Sequence, residues 1–451
     1  MRRTPRRRRI RIPVRAAALA GVVLTAAVTA TATATDTTSS SASAPAAGTE
    51  PEVEVEYFSG PGGHPRHAKV PATAPDRLTR SDRALTSAEA AGDGAVSSVV
   101  DKGPTADKVD VVFVGDGYTD SQQEDFHADV RTKWSEIAEV EPYASYKDLF
   151  NVWTVDAVSK ESGVSGDPGK DVVKDTALKS YFWCDGLERL LCVDTAKVES
   201  YAVKAPDADL VIVLSNSAKY GGAGYNDVTS GPGYDGVATA SSDHPDSDQV
   251  AVHETGHSFG KLADEYFYPE YGTYSGPEPA DINTSTLSAD EIRAQQKKWY
   301  RWLDQTSPDG GTVGAYEGGG YYPKGLNRPT ENSIMRTLGK EFNLPGREAM
   351  IAGFYRHASV VSSDTSTKTV LTRSTRLTVG IPATATLRWY VDGKEVTAAR
   401  GKVAITPKSL GVPADGREHT VTAKAKDGTK AVLDPALRKL LTDSRTWKAK
   451  G

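Results

Sequence analysis

The stretch HETGHSFGKLADEY, residues 253–266, contains two of the eight histidines of the chain, placed four residues apart. On an α-helix, residues i and i+4 lie one turn apart on the same face, so both imidazoles can reach one ion. Zinc accepts imidazole nitrogens at about 2.0–2.1 Å, and a glutamate directly after the first histidine can contact a metal-bound water. We therefore predict His253 and His257 as metal ligands and Glu254 as a catalytic base. An ordinary surface helix is the alternative.

The residues on either side of this motif support a helix followed by a turn. Residues 246–248 offer an N-cap, and Gly260 is expected to let the chain turn back because glycine tolerates positive φ. A third ligand is expected soon after that turn. The candidates are Asp264 and Glu265, whose oxygens would complete a tetrahedral zinc site with one open position. We prefer Asp264 as the ligand and expect Glu265 to orient a neighbouring group, with Glu265 as the alternative ligand.

A methionine far downstream fits the same kind of site. Met335 is one of only three methionines and lies in NRPTENSIMRTL. A methionine in a tight turn beneath a zinc ion is the Met-turn of metzincins. The alternative is a methionine that merely fills the core.

Three separated segments together resemble the IgA peptidase family of secreted bacterial zinc metallopeptidases. They are HETGHSFGKLADEY, VDVVFVGDGYT at 109–119 and GAYEGGGYYPKGLNRPTENSIMR at 314–336. The similarity spans roughly residues 105 to 360, and WYVDGKEV near the C-terminus also fits. The resemblance implies a metzincin-like fold with the zinc on a central helix between an upper and a lower half-domain. It implies one catalytic Zn²⁺ held by His253, His257 and Asp264, with Glu254 as base and Met335 in the turn below.

Two departures from the general metzincin pattern leave one role open. The third ligand usually comes six residues after the second histidine, where this chain has Ala263, so the turn must be one residue longer. The position two residues after Met335 is Thr337 rather than a tyrosine. The residue that stabilises the oxyanion is therefore unassigned, and Tyr321 and Tyr322 are the nearest aromatic candidates for an oxyanion or substrate contact.

The resemblance implies a secreted zinc-dependent endopeptidase that hydrolyses protein or peptide substrates through a zinc-bound water activated by Glu254. Immunoglobulin cleavage does not follow from these residues. One alternative is a different zinc amidase. Another is a non-enzymatic secreted binding protein with a structural zinc, which would have four protein ligands. His244 is the candidate fourth ligand in that case, although we expect it to be a solvated loop histidine.

The composition and apolar patterning change several times along the chain and predict five regions. The basic start MRRTPRRRRIRIPVR and the short apolar run after it indicate a secretory signal peptide, since the apolar part is shorter than the ~20 residues of a membrane span. The predicted regions are a signal peptide (1–34), a low-complexity linker (35–52), an N-terminal segment that is a pro-region or small β module (53–105), the zinc metallopeptidase domain (106–362) and an accessory domain (363–451).

Apolar patterning predicts the fold class. Continuous apolar runs such as VDVVFVGD alternate with helical stretches such as residues 120–140, which predicts a mixed α/β (α+β) catalytic domain. Residues 220–241 are rich in glycine and predict a long loop or edge strand. Beyond residue 365, short alternating runs joined by Asp392-Gly393 and Asp427-Gly428 predict an all-β immunoglobulin-like sandwich.

The net charge limits the classes of partner to expect, and the cysteines indicate the redox environment of the protein. The chain has 54 basic and 59 acidic residues, and removing the eight leader arginines leaves 46 against 59, a net charge of −13. Such a protein is a poor ligand for nucleic acid, and no membrane contact is expected after leader removal. Cys184 and Cys192 are predicted to form a disulfide outside the cell. Acidic stretches such as SGDPGKD could bind calcium but lack the usual loop pattern. A monomer is assumed.

Overall fold

The computed structural model of the chain describes residues 51–60, 62–63, 65–75, 78, 85–229 and 234–451. The predicted signal peptide, nearly all of the predicted linker and His64 lie outside these residues. Across the described residues, every helix is too short or too polar to span a bilayer.

Helices and strands alternate through the first three quarters of the chain, and strands dominate the last quarter. The α-helices are α1 (Ser87–Gly92), α2 (Gln123–Glu139), α3 (Tyr143–Tyr146), α4 (Thr195–Ala202), α5 (Ser247–Ser258), α6 (Ala289–Gln295) and α7 (Leu344–His357). The strands are β1 (Glu52–Phe58), β2 (Pro65–Pro71), β3 (Val96–Val100), β4 (Val109–Asp116), β5 (Phe150–Val155), β6 (Leu210–Ser215), β7 (Gly222–Thr229), β8 (Asp235–Ser241), β9 (Tyr316–Gly319), β10 (Tyr322–Arg328), β11 (Val370–Leu371), β12 (Leu377–Thr378), β13 (Ala385–Val391), β14 (Lys394–Glu395), β15 (Ala404–Ile405), β16 (Glu418–Asp427) and β17 (Thr442–Lys450).

An eight-stranded mixed sheet forms the centre of the fold, in the order β2-β1-β7-β8-β6-β4-β5-β3. The strands β8, β6, β4 and β5 are parallel, and the strands outside them are antiparallel. Val111 and Phe113 of β4 pack into one hydrophobic cluster, while Val112 and Val114 pack into another. The strand is therefore buried on both faces, as its continuous apolar run predicts. The predicted mixed α/β class is confirmed.

The glycine-rich stretch 220–241 forms two strands, and both lie inside the sheet. β7 pairs with β1 and β8, and β8 pairs with β7 and β6. The predicted loop or edge strand was therefore wrong for both strands. Small residues are needed here because α5 packs on this part of the sheet: a Cβ on Gly222 would lie 3.1 Å from the Val250 side chain. At Gly222 and Gly224 the absence of a side chain permits close packing against α5.

Helix α5 carries the histidine motif and is almost entirely buried. Asp246 holds the N-cap position, but its side chain makes no capping hydrogen bond. At the other end the expected role of Gly260 was wrong, because the positive φ of 50° belongs to Lys261. Gly260 is needed for a different reason: a Cβ there would lie 2.7 Å from the Gly256 carbonyl oxygen. The chain nevertheless turns back directly after α5, as the sequence predicts.

The C-terminal quarter contains a five-stranded sheet in the order β11-β17-β16-β13-β14 and a two-stranded sheet of β12 and β15. Buried and exposed residues alternate along β16 and β17, and Trp389 and Trp447 are fully buried. Asp392 and Gly393 both have positive φ in the tight turn between β13 and β14. Asp427 ends β16 and is buried, and it accepts hydrogen bonds from Tyr146 and Tyr355.

Candidate metal centre

Four side chains converge on one point beside α5. Nε2 of His253 and Nε2 of His257 lie 3.2 Å apart, and Oδ1 of Asp264 lies 3.2 Å from the first and 3.4 Å from the second. The carboxylate of Glu56 completes the group, with Oε1 3.2 Å from His253 and Oε2 3.3 Å from His257. Among the described residues, Glu56, His253, His257 and Asp264 form a group that could hold a metal ion, here named the metal-ligating group.

The spacing of these atoms suits a tetrahedral ion. Zinc bound at about 2.0–2.1 Å with tetrahedral angles places its ligand atoms roughly 3.3 Å apart. Each imidazole Nε2 lies 3.2–3.4 Å from the other and from the nearest oxygens of Asp264 and Glu56, which agrees with that spacing. Two imidazoles and two carboxylates form a donor set that a borderline divalent ion accepts. The group therefore fits one divalent ion.

Both imidazoles present the correct nitrogen. Nδ1 of His253 lies 3.0 Å from the carbonyl oxygen of Ile334, and Nδ1 of His257 lies 2.8 Å from the carbonyl oxygen of Leu262. A carbonyl oxygen only accepts hydrogen bonds, so each Nδ1 carries a proton and donates it. In the neutral rings Nε2 is then left as a lone-pair donor for the metal.

The turn after α5 directs Asp264 and Glu265 to different places. Asp264 is buried, its Oδ2 accepts a hydrogen bond of 2.8 Å from the Tyr321 hydroxyl, and its Oδ1 has no hydrogen-bond donor among the described residues. Burial raises the pKa of Asp264, but the His257 and His253 imidazoles outweigh burial and hold the pKa well below its usual range. The extra residue in the turn thus still delivers a charged oxygen to both histidines.

Glu265 points away from this group and into a hydrogen-bond network. Its carboxylate accepts from Asn283, Ser333 and Asn343 at 2.7–3.2 Å, and its backbone N–H donates to the Met335 carbonyl oxygen. Burial raises the pKa of Glu265, and the three donors offset part of that effect. Glu265 therefore anchors the turn that contains Met335 and is not placed to bind the metal.

Glu254 stands next to the metal-ligating group with one oxygen free. Its Oε2 accepts a hydrogen bond of 2.9 Å from Asn226, and its buried Oε1 has no donor among the described residues. A Cβ on Gly224 would overlap the Glu254 carboxylate, so a larger residue at that position of β7 would require the carboxylate to move. Burial and the Glu56 carboxylate raise the pKa of Glu254 to about 8. A carboxylate of that pKa can both accept and donate a proton near neutral pH.

The electrostatics of the imidazoles depend on the two carboxylates. Burial lowers the pKa of His253, but Glu56 and Asp264 outweigh it and raise the pKa to about 10. The same carboxylates raise the pKa of His257. A metal must displace these imidazole protons, so its affinity is expected to rise with pH.

Met335 lies in a tight turn below α5. Backbone N–H groups of Arg336 and Thr337 both donate to the Ser333 carbonyl oxygen, which closes the turn. A Cβ added to Gly256, the residue directly before His257, would lie 2.5 Å from the Met335 sulfur. Met335 is thus packed directly against the helix that carries His253 and His257. Its role as a Met-turn stays a prediction.

The two tyrosines proposed from sequence are placed differently. Tyr321 contacts the site, but its hydroxyl proton is donated to Asp264. Tyr322 packs against Tyr271 and Tyr274 and does not line the cavity at the metal-ligating group. Tyr266, which the sequence analysis did not single out, donates its hydroxyl to Oε1 of Glu56 at 3.0 Å. Its place in the HETGHSFGKLADEY stretch is the only sequence signal that could have suggested it.

A sequence comparison identifies the family once this geometry is known. The model of the IgA peptidase M64 family matches residues 98–310 and 306–354, more than half of the chain. The chain belongs to the IgA peptidase M64 family. The resemblance seen in three sequence motifs is confirmed. No curated protein matches the chain.

Glu56 lies outside the residues that the M64 family model matches. It sits on β1 and comes 201 residues before His257. The alternation of VEVEYF predicts a strand, and a strand is found, but glutamates on alternate positions normally indicate a solvated face. Nothing in the sequence places this glutamate beside α5, so Glu56 was not predicted as a site residue.

Of two histidines outside the motif, His67 borders the metal-ligating group, whereas His244 is not among its candidate ligands. His244 packs on the Tyr220 ring and accepts from the Asp246 backbone, and it is not among the candidate metal ligands. His67, to which no role was given, lies 2.8 Å from the Tyr266 hydroxyl and 3.9 Å from Asp264. It lines a cavity of about 120 Å³ with Glu56 and Tyr321.

The two cysteines of this M64 chain form the predicted disulfide. Cys184 and Cys192 are bonded, with Cα atoms 5.9 Å apart, and both are buried. The bond closes part of the long connection between β5 and α4 that packs on the sheet. Asp167, in the stretch considered for calcium, accepts a hydrogen bond from Ser217.

Proposed function

We propose that the chain is a secreted zinc-dependent endopeptidase with His253, His257 and Asp264 as metal ligands and Glu254 as the base. The observation that carries this proposal is the free Oε1 of Glu254, buried beside a group of tetrahedral dimensions. A purely structural metal site has no use for a buried carboxylate oxygen without a donor, because that atom costs desolvation energy. A group that must take up a proton during a reaction does need such an atom.

His253, His257 and Asp264 would hold a divalent ion, which would supply the Lewis acidity that activates water and polarises the scissile carbonyl. Glu254 would accept a proton at Oε1 and pass it to the leaving amine, while Asn226 holds Oε2 by a hydrogen bond. Tyr266 stays neutral because burial raises its pKa well above its usual value. Its hydroxyl, which donates to Glu56, would donate to the oxyanion if a substrate took the place of that carboxylate.

We extend the proposal to the fold around the site, the C-terminal domain and the export of the protein. The central sheet above α5 and the Met335 turn below it support a metzincin-like arrangement of two half-domains. The alternating strands and the two buried tryptophans of residues 363–451 support an immunoglobulin-like accessory domain. The basic, then apolar N-terminus and the disulfide support export. Protein or peptide chains are the substrates of a peptidase, and no immunoglobulin specificity is proposed.

One observation favours a second candidate function, a binding protein with a structural zinc. The metal-ligating group has four members, because Glu56 adds a fourth ligand to the three predicted ones. Structural zinc sites have four protein ligands and no open position. A peptidase should keep its metal when Glu56 is removed, whereas a binding protein with a structural zinc should lose it.

Hydrolysis of a peptide library by the full chain tests the proposed function. The assay is run with Glu56 intact and with Glu56→Ala, with and without a chelator, and the zinc content is measured in each sample. Glu254→Gln should keep the metal and lower turnover by roughly 10²–10⁴-fold. Glu139→Gln, an exposed glutamate at the end of α2, is the matched control. Turnover by Glu254→Gln equal to that of its parent would refute the assignment of the base.

A further inference from the structure

The N-terminal hairpin of β1 and β2 inserts a carboxylate into the metal-ligating group. Glu56 is 1% exposed, and its two oxygens reach the Nε2 atoms of His253 and His257 separately. If His253, His257 and Asp264 hold a zinc ion, the Glu56 carboxylate would take the fourth coordination position, which a hydrolytic zinc keeps open for water and substrate. A site filled in this way has no position for a substrate carbonyl.

The same hairpin covers the strand edge beside the site. β1 runs antiparallel to β7, and Glu56 lies opposite Gly224. Gly224 and Asn226 of β7 are the residues that adjoin Glu254. Extended peptides commonly bind by adding a strand to such an edge. A peptide that pairs with β7 would therefore place a residue over the metal-ligating group, where Glu56 now lies.

Specific contacts hold the hairpin in place. Tyr266 donates to Glu56, and His67, the residue opposite Glu56 in the hairpin, lies 2.8 Å from the same hydroxyl. Phe58 packs edge-on against the His253 ring with centroids 5.0 Å apart. The hairpin thus docks on the groups that a substrate would use, rather than on an unrelated surface.

We propose that the β1–β2 hairpin is an intramolecular inhibitor that keeps the proposed peptidase latent until the hairpin is displaced. Glu56 closes the fourth coordination position, and β1 occupies the strand edge at which an extended peptide substrate pairs with β7. This inference rests on the proposed function. Displacement of the hairpin restores an open coordination position and a free strand edge, and frees the Tyr266 hydroxyl.

Glu56→Ala in the full chain is the direct test, with Glu52→Ala on the exposed start of the same strand as the matched control. Glu56→Gln is the second variant, because it keeps the shape of the side chain but removes the charged ligand. Each protein is loaded with cobalt(II) in place of zinc, and its absorption spectrum is followed during titration with acetohydroxamate. Hydrogen exchange of residues 52–58 is measured on the same samples without any metal.

The expected results differ between the variants. The wild-type and Glu52→Ala chains should show no spectral change with acetohydroxamate, whereas Glu56→Ala and Glu56→Gln should bind it and keep stoichiometric cobalt. Hydrogen exchange in residues 52–58 should be faster in both Glu56 variants. Peptide turnover by the zinc forms should rise by roughly 10²–10⁴-fold, the advantage that a tethered competitor normally has.

Each other outcome has a definite meaning. If the wild-type chain already binds acetohydroxamate and hydrolyses peptides as fast as Glu56→Ala, the latency proposal is overturned while the peptidase function stands. If the Glu56 variants bind acetohydroxamate but hydrolyse nothing, the proposed function fails although the hairpin does close the site. If both Glu56 variants are folded and lose the metal, Glu56 is a structural ligand and the inhibitor proposal is wrong.

Discussion

Nδ1 of His253 donates a hydrogen bond of 3.0 Å to the carbonyl oxygen of Ile334, the residue directly before Met335. This contact joins α5 to the Met335 turn across 81 residues of sequence. It fixes the tautomer of His253, so that Nε2 faces the metal-ligating group. The turn therefore orients a ligand as well as packing beneath it, which gives a physical reason for a buried turn at this place.

Tyr321→Phe is expected to weaken metal binding. The substitution removes the hydroxyl that donates to Oδ2 of Asp264 and leaves the carboxylate less firmly oriented. Loss of such a contact behind a ligand typically lowers metal affinity by about 10–100-fold. Competition with a chromophoric chelator measures the affinity. Tyr322→Phe, next in the chain and away from the cavity, is the control, and equal affinities for the two variants would contradict the prediction.

Tyr266→Phe is expected to slow catalysis. Measured in the Glu56→Ala background, kcat should fall by roughly 10²–10³-fold with little change in KM, because the hydroxyl is proposed to act on the developing oxyanion. Steady-state kinetics on a peptide substrate provide both constants. Tyr271→Phe, which alters an exposed ring, should leave both constants unchanged. An unchanged kcat for Tyr266→Phe would assign the oxyanion donor elsewhere.

Gly224→Ala is expected to displace the Glu254 carboxylate. The added Cβ would occupy the space of that carboxylate, so Glu254 has to move. A shift of about 1 Å in a catalytic group can cost about 10²-fold in rate. Turnover and zinc content are measured in the Glu56→Ala background, and the metal should be retained. Gly169→Ala, where a Cβ meets no neighbouring atom within 4 Å, is the control. Normal turnover by Gly224→Ala would show that Glu254 needs no such space.

Glu265→Ala is expected to lower the free energy of unfolding. It leaves the amide and hydroxyl donors of Asn283, Ser333 and Asn343 without their buried acceptor. One unsatisfied buried donor costs about 1–3 kcal/mol. Urea unfolding of the chelator-treated protein measures the change, and Glu265→Gln should be milder because one acceptor oxygen remains. Loss of the metal without loss of stability would instead make Glu265 a ligand.

Asp110→Asn is expected to change the pH dependence of stability. Burial raises the pKa of Asp110 to about 7, although Trp153 and Asn151 donate to its carboxylate. Between the unfolded pKa of about 3.9 and this folded pKa, the folded state binds more protons than the unfolded state. The contribution of Asp110 to stability therefore falls as pH rises from about 4 to 7.

Unfolding free energies at pH 5 and pH 8 measure this effect. The wild-type chain should lose more stability than Asp110→Asn over that interval, while Asp290→Asn, which alters an exposed side chain, should follow the wild type. An identical change in wild type and Asp110→Asn would remove Asp110 as the source.

Local patterns predicted much of the site because the interactions involved are local. The i,i+4 spacing of His253 and His257 needs only a helix, and the choice of Asp264 over Glu265 needs only a turn of suitable length. The role of Gly260 was misjudged because sequence gives the need for a small residue but not its cause. At this turn Lys261 takes the positive φ, and Gly260 permits the close approach of a carbonyl oxygen.

The sequence alone determined the family, the mixed α/β class, the disulfide and the helix that carries two imidazoles and a glutamate. Only the tertiary structure brought Glu56 to the fourth corner of the metal-ligating group and the Tyr266 hydroxyl to its carboxylate. Strand pairing at a sheet edge joins residues that are far apart in the chain. The partner of an edge strand is selected by backbone hydrogen bonds, which depend little on the type of side chain. Side-chain patterns therefore carry little information about which strand will pair with it.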